Sequence, residues 1–203
     1  MLVKQLFDYI ISFIAIFLLF PFLCIISILI IIFDNQKPFY YQVRVGKNGQ
    51  LFKLIKFRSM YYNSNENRIT TKDDSRITKA GKILRKTKLD ELPELFNILM
   101  GEMSFVGPRP DVPGYADKLI GEDRIVLTLK PGITGLASLK YINEEEILTR
   151  VDDPVKYNNE VIWPDKVKLN KYYIQNWSFW LDIKIILFTL LRKKWEDLGL
   201  SDI

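Results

Sequence analysis

The 203-residue chain has no histidine and one cysteine, and its 29 Lys and Arg residues against 24 Asp and Glu give a formal charge of +5. Ser-His and Cys-His nucleophile systems, His/Cys zinc sites and disulfide frameworks are thereby excluded, leaving carboxylates, lysine, arginine and an oxygen-bound metal such as Mg²⁺ as the catalytic groups on offer. The mild basic excess suits phosphates or an anionic leaflet, and no basic run interleaved with stacking aromatics points to nucleic acid.

The chain opens with an apolar segment that carries no charged residue from Tyr9 to Phe33. Such a run exceeds the roughly 20 residues needed to cross a hydrocarbon core, so this part is expected in the membrane. It is too long for a signal-peptide core and lacks a small-residue cleavage site, so it is expected to be retained. Pro21 divides it almost in half. A mid-helix proline removes a hydrogen bond and kinks the helix, which leaves two forms: a kinked spanning helix, or a helix–break–helix that enters and leaves on one side. Composition alone favours spanning. Downstream, Lys37, Arg44, Lys47, Lys53, Lys56 and Arg58 face only Asp34, and the positive-inside rule places the body in the cytoplasm.

Phe39 to Val45 and Leu51 to Phe57 read as strands around Gly46-Lys47-Asn48-Gly49, an Asn-Gly turn between β-branched and aromatic runs that predicts a hairpin. The second strand delivers Lys56 and Arg58 at its end; solvated basic residues near a membrane are the plainer reading of both. Tyr62 to Lys79 is polar and aperiodic and predicts a mobile surface loop, with Asp73-Asp74 as exposed loop acids.

Next comes Arg85-Lys86-Thr87-Lys88-Leu89-Asp90-Glu91-Leu92-Pro93-Glu94-Leu95. Pro93 is tolerated only in a first helical turn, so Leu92, Leu95, Phe96 and Leu99 predict a helix from near Asp90 to Gly101. Asp90 then lies at or beside the N-cap, where free amides and the helix dipole favour anions, with Arg85, Lys86 and Lys88 just upstream. Capping alone accounts for Asp followed by Glu; a chemical role for the pair is the alternative. Arg109 lies between Pro108 and Pro110, which hold its backbone rigidly and suit its guanidinium to a phosphate or a flat base. Pro131-Gly132-Ile133-Thr134-Gly135 is a second constrained turn.

At the C-terminal end, Trp177, Phe179 and Trp180 precede an apolar run ending in Arg192-Lys193-Lys194. The run is too short to span, and its aromatic start and basic end predict a helix lying in the membrane interface, with a core helix as the alternative.

Taken together these pieces resemble the small monotopic phosphoglycosyl transferases of the bacterial sugar transferase family. The matching stretches are Lys4 and Asp8, Pro21, Lys37 to Gly46, Lys56 to Met60, Leu89-Asp90-Glu91-Leu92-Pro93, Met103 to Pro110, Pro131 to Gly135 and Ser178-Phe179-Trp180-Leu181-Asp182. They follow the family order over nearly the whole chain. The resemblance implies transfer of a sugar 1-phosphate from a UDP-sugar to a polyprenyl phosphate such as undecaprenyl phosphate, with release of UMP, at the cytoplasmic face of the bacterial inner membrane. Asp90 would be the nucleophile and Glu91 its partner, both near Mg²⁺, with Pro108-Arg109-Pro110 on the nucleotide and Lys56, Arg58 and Arg85 as active-site cations. It also implies a re-entrant segment over residues 1–36, broken near Pro21, in place of the spanning form, and a membrane-associated catalytic domain over 37–203. Two departures stand out. Phe20 precedes Pro21 where better-known members have serine, and Asn170 stands where many carry an acid that partners Asp182. The segment Lys140 to Lys168 differs from the shorter one expected, and is a candidate for reading the sugar.

The expected fold is α+β, mostly helical with a small antiparallel hairpin, on a bent N-terminal helix and interfacial helices. Two other functions are compatible with parts of the sequence: a metal-dependent UDP-sugar glycosyltransferase using Asp152-Asp153 and releasing UDP, and a membrane-anchored lipid-binding module in which Asp90 only caps a helix.

Overall fold

A computed structural model describes residues 1–61, 74–193 and 195–200. Most of the expected loop, Asp73 included, and Lys194 lie outside the described residues. Helix α1 (Leu2–Asp34) is followed by β1 (Phe39–Val45) and β2 (Leu51–Phe57), then by α2 (Lys79–Thr87) and α3 (Glu94–Leu99). Short strands β3 (Ser104–Val106) and β4 (Gly132–Thr134) flank an irregular stretch, and α4 (Leu136–Lys140), α5 (Glu144–Thr149), α6 (Pro154–Tyr157), α7 (Trp163–Gln175) and α8 (Phe179–Leu190) complete the α+β fold.

The hairpin has the expected bounds. Strands β1 and β2 pair antiparallel from Phe39 opposite Phe57 to Val45 opposite Leu51, and Asn48 (φ 57°) and Gly49 (φ 79°) both take the left-handed conformation that Asn-Gly turns supply. The parallel pairing of β3 with β4 was not foreseen. Three-residue strands carry too little periodicity to be read from sequence.

The expected helix from Asp90 to Gly101 is corrected. Helix α2 ends where Lys88 turns left-handed (φ 60°), a single 3₁₀ turn carries Leu89–Glu91, and the α-helix proper begins only at Glu94, after Pro93. Asp90 is therefore the N-cap of neither helix. With six residues, α3 is also too short to supply much of a dipole. Anion attraction at Asp90 has to come from side chains.

Helix α1 meets the body along most of its length. Near its start Phe7 packs edge-on against Phe105 and Phe179, and Asp8 accepts from the Phe105 amide at 3.1 Å. Further on, Ala15, Ile16 and Leu19 touch the cluster of Phe52, Leu54, Leu95, Ile98 and Met103, and Leu23, Ile26 and Ile30 pack with Phe57 and Leu84. Pro21 lies inside the helix. Only 17% of the most apolar stretch is buried, so most of this apolar surface needs a hydrocarbon environment.

Asp182 does find partners despite Asn170. Lys4 reaches it at 2.7 Å, the Tyr173 hydroxyl donates at 2.6 Å and the Trp177 indole at 3.1 Å. This ties the first turn of α1 to α8. On helix α8, Ile185 and Phe188 join a core with Leu136, Leu139, Leu169 and Tyr173, as the core-helix alternative expected, while Trp180, Leu190 and the following Leu191 are exposed.

Asn97 fixes α3 against β2. Its side chain is fully buried, its Oδ1 accepts from the Ile55 amide at 3.0 Å, and its Nδ2 donates to the Lys53 carbonyl at 2.8 Å and to Glu102 at 2.7 Å. Asn97→Ala should cost about 3 kcal/mol, since buried backbone groups left unmet cost about 1–3 kcal/mol each. Urea unfolding in detergent, followed by tryptophan fluorescence, measures this. A loss under about 1 kcal/mol would show that the bridge contributes little beyond a net hydrogen bond.

Candidate active site

Asn97 holds α3 beside β2, and Lys56, near the end of β2, thereby meets the acids around the start of α3. Its Nζ lies 2.9 Å from Glu91 and 3.2 Å from Glu94. Arg109 reaches the same Glu91 oxygen from the opposite side. Asp90, 6% exposed, is buried between these charges, and its Oδ1 has no hydrogen-bond partner.

The neighbouring acids are driven apart. Burial works to raise the Glu91 carboxyl, but Arg109 and Lys56 outweigh it and hold that group well below the usual carboxylate range. Burial pushes Asp90 up, with Lys56 pulling against it and Glu91 adding to it. Burial likewise pushes Glu94 up against Lys56, and Glu91 in turn reinforces the charge of Arg109. Glu91 is thus an ionised carboxylate whose Oε1 is occupied, whereas Asp90 keeps an unoccupied oxygen. Adjacent carboxylates in unlike environments are suited to unlike roles.

The expected site residues are partly assembled. Lys56, Asp90, Glu91 and Arg109 converge directly. Arg85 contributes its field at Asp90, while its guanidinium pairs with Glu145 of α5 and points Nη1 at the Met60 sulfur, 3.9 Å away. Pro108 and Pro110 are buried and hold the Arg109 loop. Arg58 is directed elsewhere: it donates to the carbonyls of Lys37 at 3.0 Å and Phe39 at 3.3 Å and lies over the Tyr40 ring.

Other acids are accounted for locally. Asp74 pairs with Arg76 at 2.6 Å. Asp153 accepts from the Lys156 amide at 3.0 Å as the N-cap of α6, and Asp152 beside it is exposed, so neither Asp152 nor Asp153 is gathered into a cluster with the dyad.

Glu94, Asn97 and Arg44 were missed by sequence reasoning, whereas Glu145, which pairs with Arg85, lies in the Lys140 to Lys168 segment singled out above. Glu94 had a signal, lying three residues after Glu91 and so on the same helical face. Asn97 and Arg44 depend on contacts between β-strands and distant parts of the chain. Asp90 and Glu91 supply hard oxygen donors of the kind Mg²⁺ takes, and that ion is held by one or two carboxylates plus substrate phosphates rather than by a protein cage. The unpartnered Asp90 Oδ1 fits such a ligand.

A model of the family described as bacterial sugar transferase matches residues 1–194. The chain is 37% identical over 198 residues to the UDP-glucose:undecaprenyl-phosphate glucose-1-phosphate transferase of Klebsiella pneumoniae, covering 95% of this chain and 40% of that protein. It is 35% identical over 204 residues to the UDP-galactose-lipid carrier transferase of Erwinia amylovora, covering 92% and 39%. A third relative, the exopolysaccharide production protein ExoY of Sinorhizobium fredii, is 35% identical over 204 residues, covering 92% and 83%. The chain therefore spans at most 40% of the first two relatives.

Replacing Asp90 separates stability from reactivity. Its folded carboxyl titrates above its unfolded one, so ionisation above the unfolded range works against folding, and this cost is relieved as pH falls through the folded value. Asp90→Asn should melt at pH 7 at or above the wild-type temperature, with any gain shrinking toward about pH 4, where the unfolded carboxyl also binds its proton. A lower melting temperature at pH 7 would show that the carboxylate helps to hold the fold.

Proposed function

The chain belongs to the bacterial sugar transferase family, and from that membership and the Asp90 environment we propose that it moves a sugar 1-phosphate from a UDP-sugar to a polyprenyl phosphate, undecaprenyl phosphate in particular, releasing UMP. The observation that carries the assignment is the unpartnered Oδ1 of buried Asp90 beside a Glu91 engaged by Lys56 and Arg109. Of the two carboxylates, Glu91 is engaged by both cations through its Oε1, and Asp90 is the one with an Oδ1 that makes no hydrogen bond.

In the first step an Asp90 oxygen bonds to the β-phosphorus, and the bond from that phosphorus to the bridging oxygen breaks, so UMP leaves with the electron pair. In the second, a phosphate oxygen of the polyprenyl phosphate attacks the same phosphorus. The Asp90 oxygen–phosphorus bond breaks, restoring the carboxylate and leaving the sugar diphosphate on the lipid. Lys56 and Arg85 supply positive charge where negative charge builds on the phosphoryl oxygens, in a site whose burial strengthens their effect. Arg109, fixed between two prolines, holds the nucleotide half. Asp90 and Glu91 would hold Mg²⁺, which when bound neutralises phosphoryl charge and orients the diphosphate.

The same contacts support a re-entrant membrane arrangement. Lys4 and Phe7 near the start of α1, and Ile26 and Ile30 near its end, pack on one body. Opposite ends of a helix crossing the bilayer could not both do so unless the charged site entered the hydrocarbon. Pro21 lies inside this one continuous helix, and a bend there with both ends of α1 on the cytoplasmic side would keep the site at the leaflet surface, where the lipid phosphate lies.

Two measurements test this reading. Purified protein given undecaprenyl phosphate and either UDP-glucose or UDP-galactose, the sugars in the relatives' names, should yield UMP and a lipid-linked sugar diphosphate. UDP as the nucleotide product would instead indicate sugar transfer without phosphate. For topology, Leu2→Cys and Lys37→Cys, each in a Cys24→Ser background, should both escape an impermeant thiol reagent in intact cells and both react after lysis. Reaction at position 2 in intact cells would show a spanning helix.

A further inference from the structure

Arg109 can be anchored in few ways. Pro108 and Pro110 have no amide hydrogen, so each offers the rest of the protein only its carbonyl as a backbone polar handle. The Pro108 carbonyl is taken by the Gly132 amide of β4 at 2.8 Å. The Pro110 carbonyl is taken by a side chain, Nη1 of Arg44, at 3.0 Å.

Arg44 is itself held. Residues two apart on a strand share a face, and on β1 this places Gln42 beside Arg44. The Gln42 Oε1 accepts from Arg44 Nε at 3.1 Å and from Nη2 at 2.5 Å. Two donors on one acceptor fix the guanidinium plane and leave Nη1 aimed at Pro110. The next amide along the strand, Val45, donates to the Asp111 carbonyl at 2.9 Å. The loop is thus fastened by β4 upstream of Arg109 and by β1 downstream.

The choice of arginine for this clamp has an electrostatic cost, because burial and the nearby Arg109 both oppose its charge, with Asp111 and Glu94 offsetting them. A neutral donor would brace the loop without that cost. A cation beside Arg109 is suited to a loop that must present positive charge to phosphates.

We propose that Arg44, aligned by Gln42, is a positioning residue that sets the reach of Arg109 and thereby the hold on the nucleotide half of the substrate. The proposal rests on the UDP-sugar reading above. Wild-type UMP release tests that reading, and the variants below are compared only with an active wild type.

The decisive variant is Gln42→Leu, which leaves both arginines and their charges in place and removes only the alignment. It should raise KM for the UDP-sugar and weaken UMP binding by calorimetry about tenfold, the scale of one hydrogen bond to a charged group, with kcat changed less than about threefold. Gln42→Glu, which keeps acceptor oxygens for the same guanidinium, should restore KM. Arg44→Lys, which keeps the charge and loses the fork, should behave like Gln42→Leu. In an Arg109→Ala background, adding Gln42→Leu should produce no further loss of UMP affinity. Additive losses in that background, or loss of UMP affinity in Arg44→Lys with none in Gln42→Leu, would overturn the proposal and make Arg44 a direct ligand. A lowered melting temperature in Gln42→Leu and Arg44→Lys with unchanged UMP affinity would also overturn it, leaving the brace as purely structural.

Discussion

One lysine shared between two carboxylates organises the candidate site of this protein. Lys56 pairs with Glu91 and Glu94 at 2.9 and 3.2 Å, and together with Arg109 it allows Asp90, Glu91 and Glu94 to crowd around the start of α3. Without those cations, like charges so close and so buried would neutralise by binding protons. With them the acids diverge, and Glu91 is held ionised while burial dominates at Asp90 and Glu94. The arrangement depends in turn on Asn97, which satisfies the Lys53 carbonyl and the Ile55 amide just before Lys56 on β2. Stability and reactivity are coupled there, since loosening α3 from β2 would separate the lysine from its acids.

The second constraint is the apolar surface. Helix α1 is a part of the domain, joined to it by ring contacts at Phe7, by aliphatic contacts from Ala15 to Ile30 and by the buried Lys4–Asp182 pair. A buried pair of this kind is costly to break, because removing one partner leaves the other charge uncompensated. Its placement links the first turn of the apolar helix to α8, whose exposed Trp180, Leu190 and Leu191 extend the apolar surface. Family membership and this geometry agree on a membrane-associated body.

Legibility in the sequence followed the range of the determining contacts. The hairpin was readable because Asn48-Gly49 and the strand residues carry their own conformational signal, and its bounds match. Asp90, Glu91 and Arg109 stood out as chemically unusual neighbours of proline and charge. The helix start was misjudged because Pro93 was read as opening one continuous helix, whereas the left-handed Lys88 and a 3₁₀ turn put Asp90 outside α3. That error bears on function, since an N-capping role for Asp90 disappears with it. Arg58 was expected with the site cations, but strand-end proximity says nothing of side-chain direction, and its donors go to backbone carbonyls. Neither the Arg44 brace nor the pairing of Lys4 with Asp182 leaves any local pattern, as each joins residues far apart in the chain.

The proposed transfer turns on a covalent bond at one side chain. The direct measurement is rapid-quench mass spectrometry of active protein mixed with its UDP-sugar and no lipid acceptor, followed by peptide mapping. A phosphosugar on Asp90 that is consumed when polyprenyl phosphate is added is the expected result. Protein that turns over with acceptor yet shows no adduct, or carries it on another residue, would contradict the assignment of Asp90 as the nucleophile.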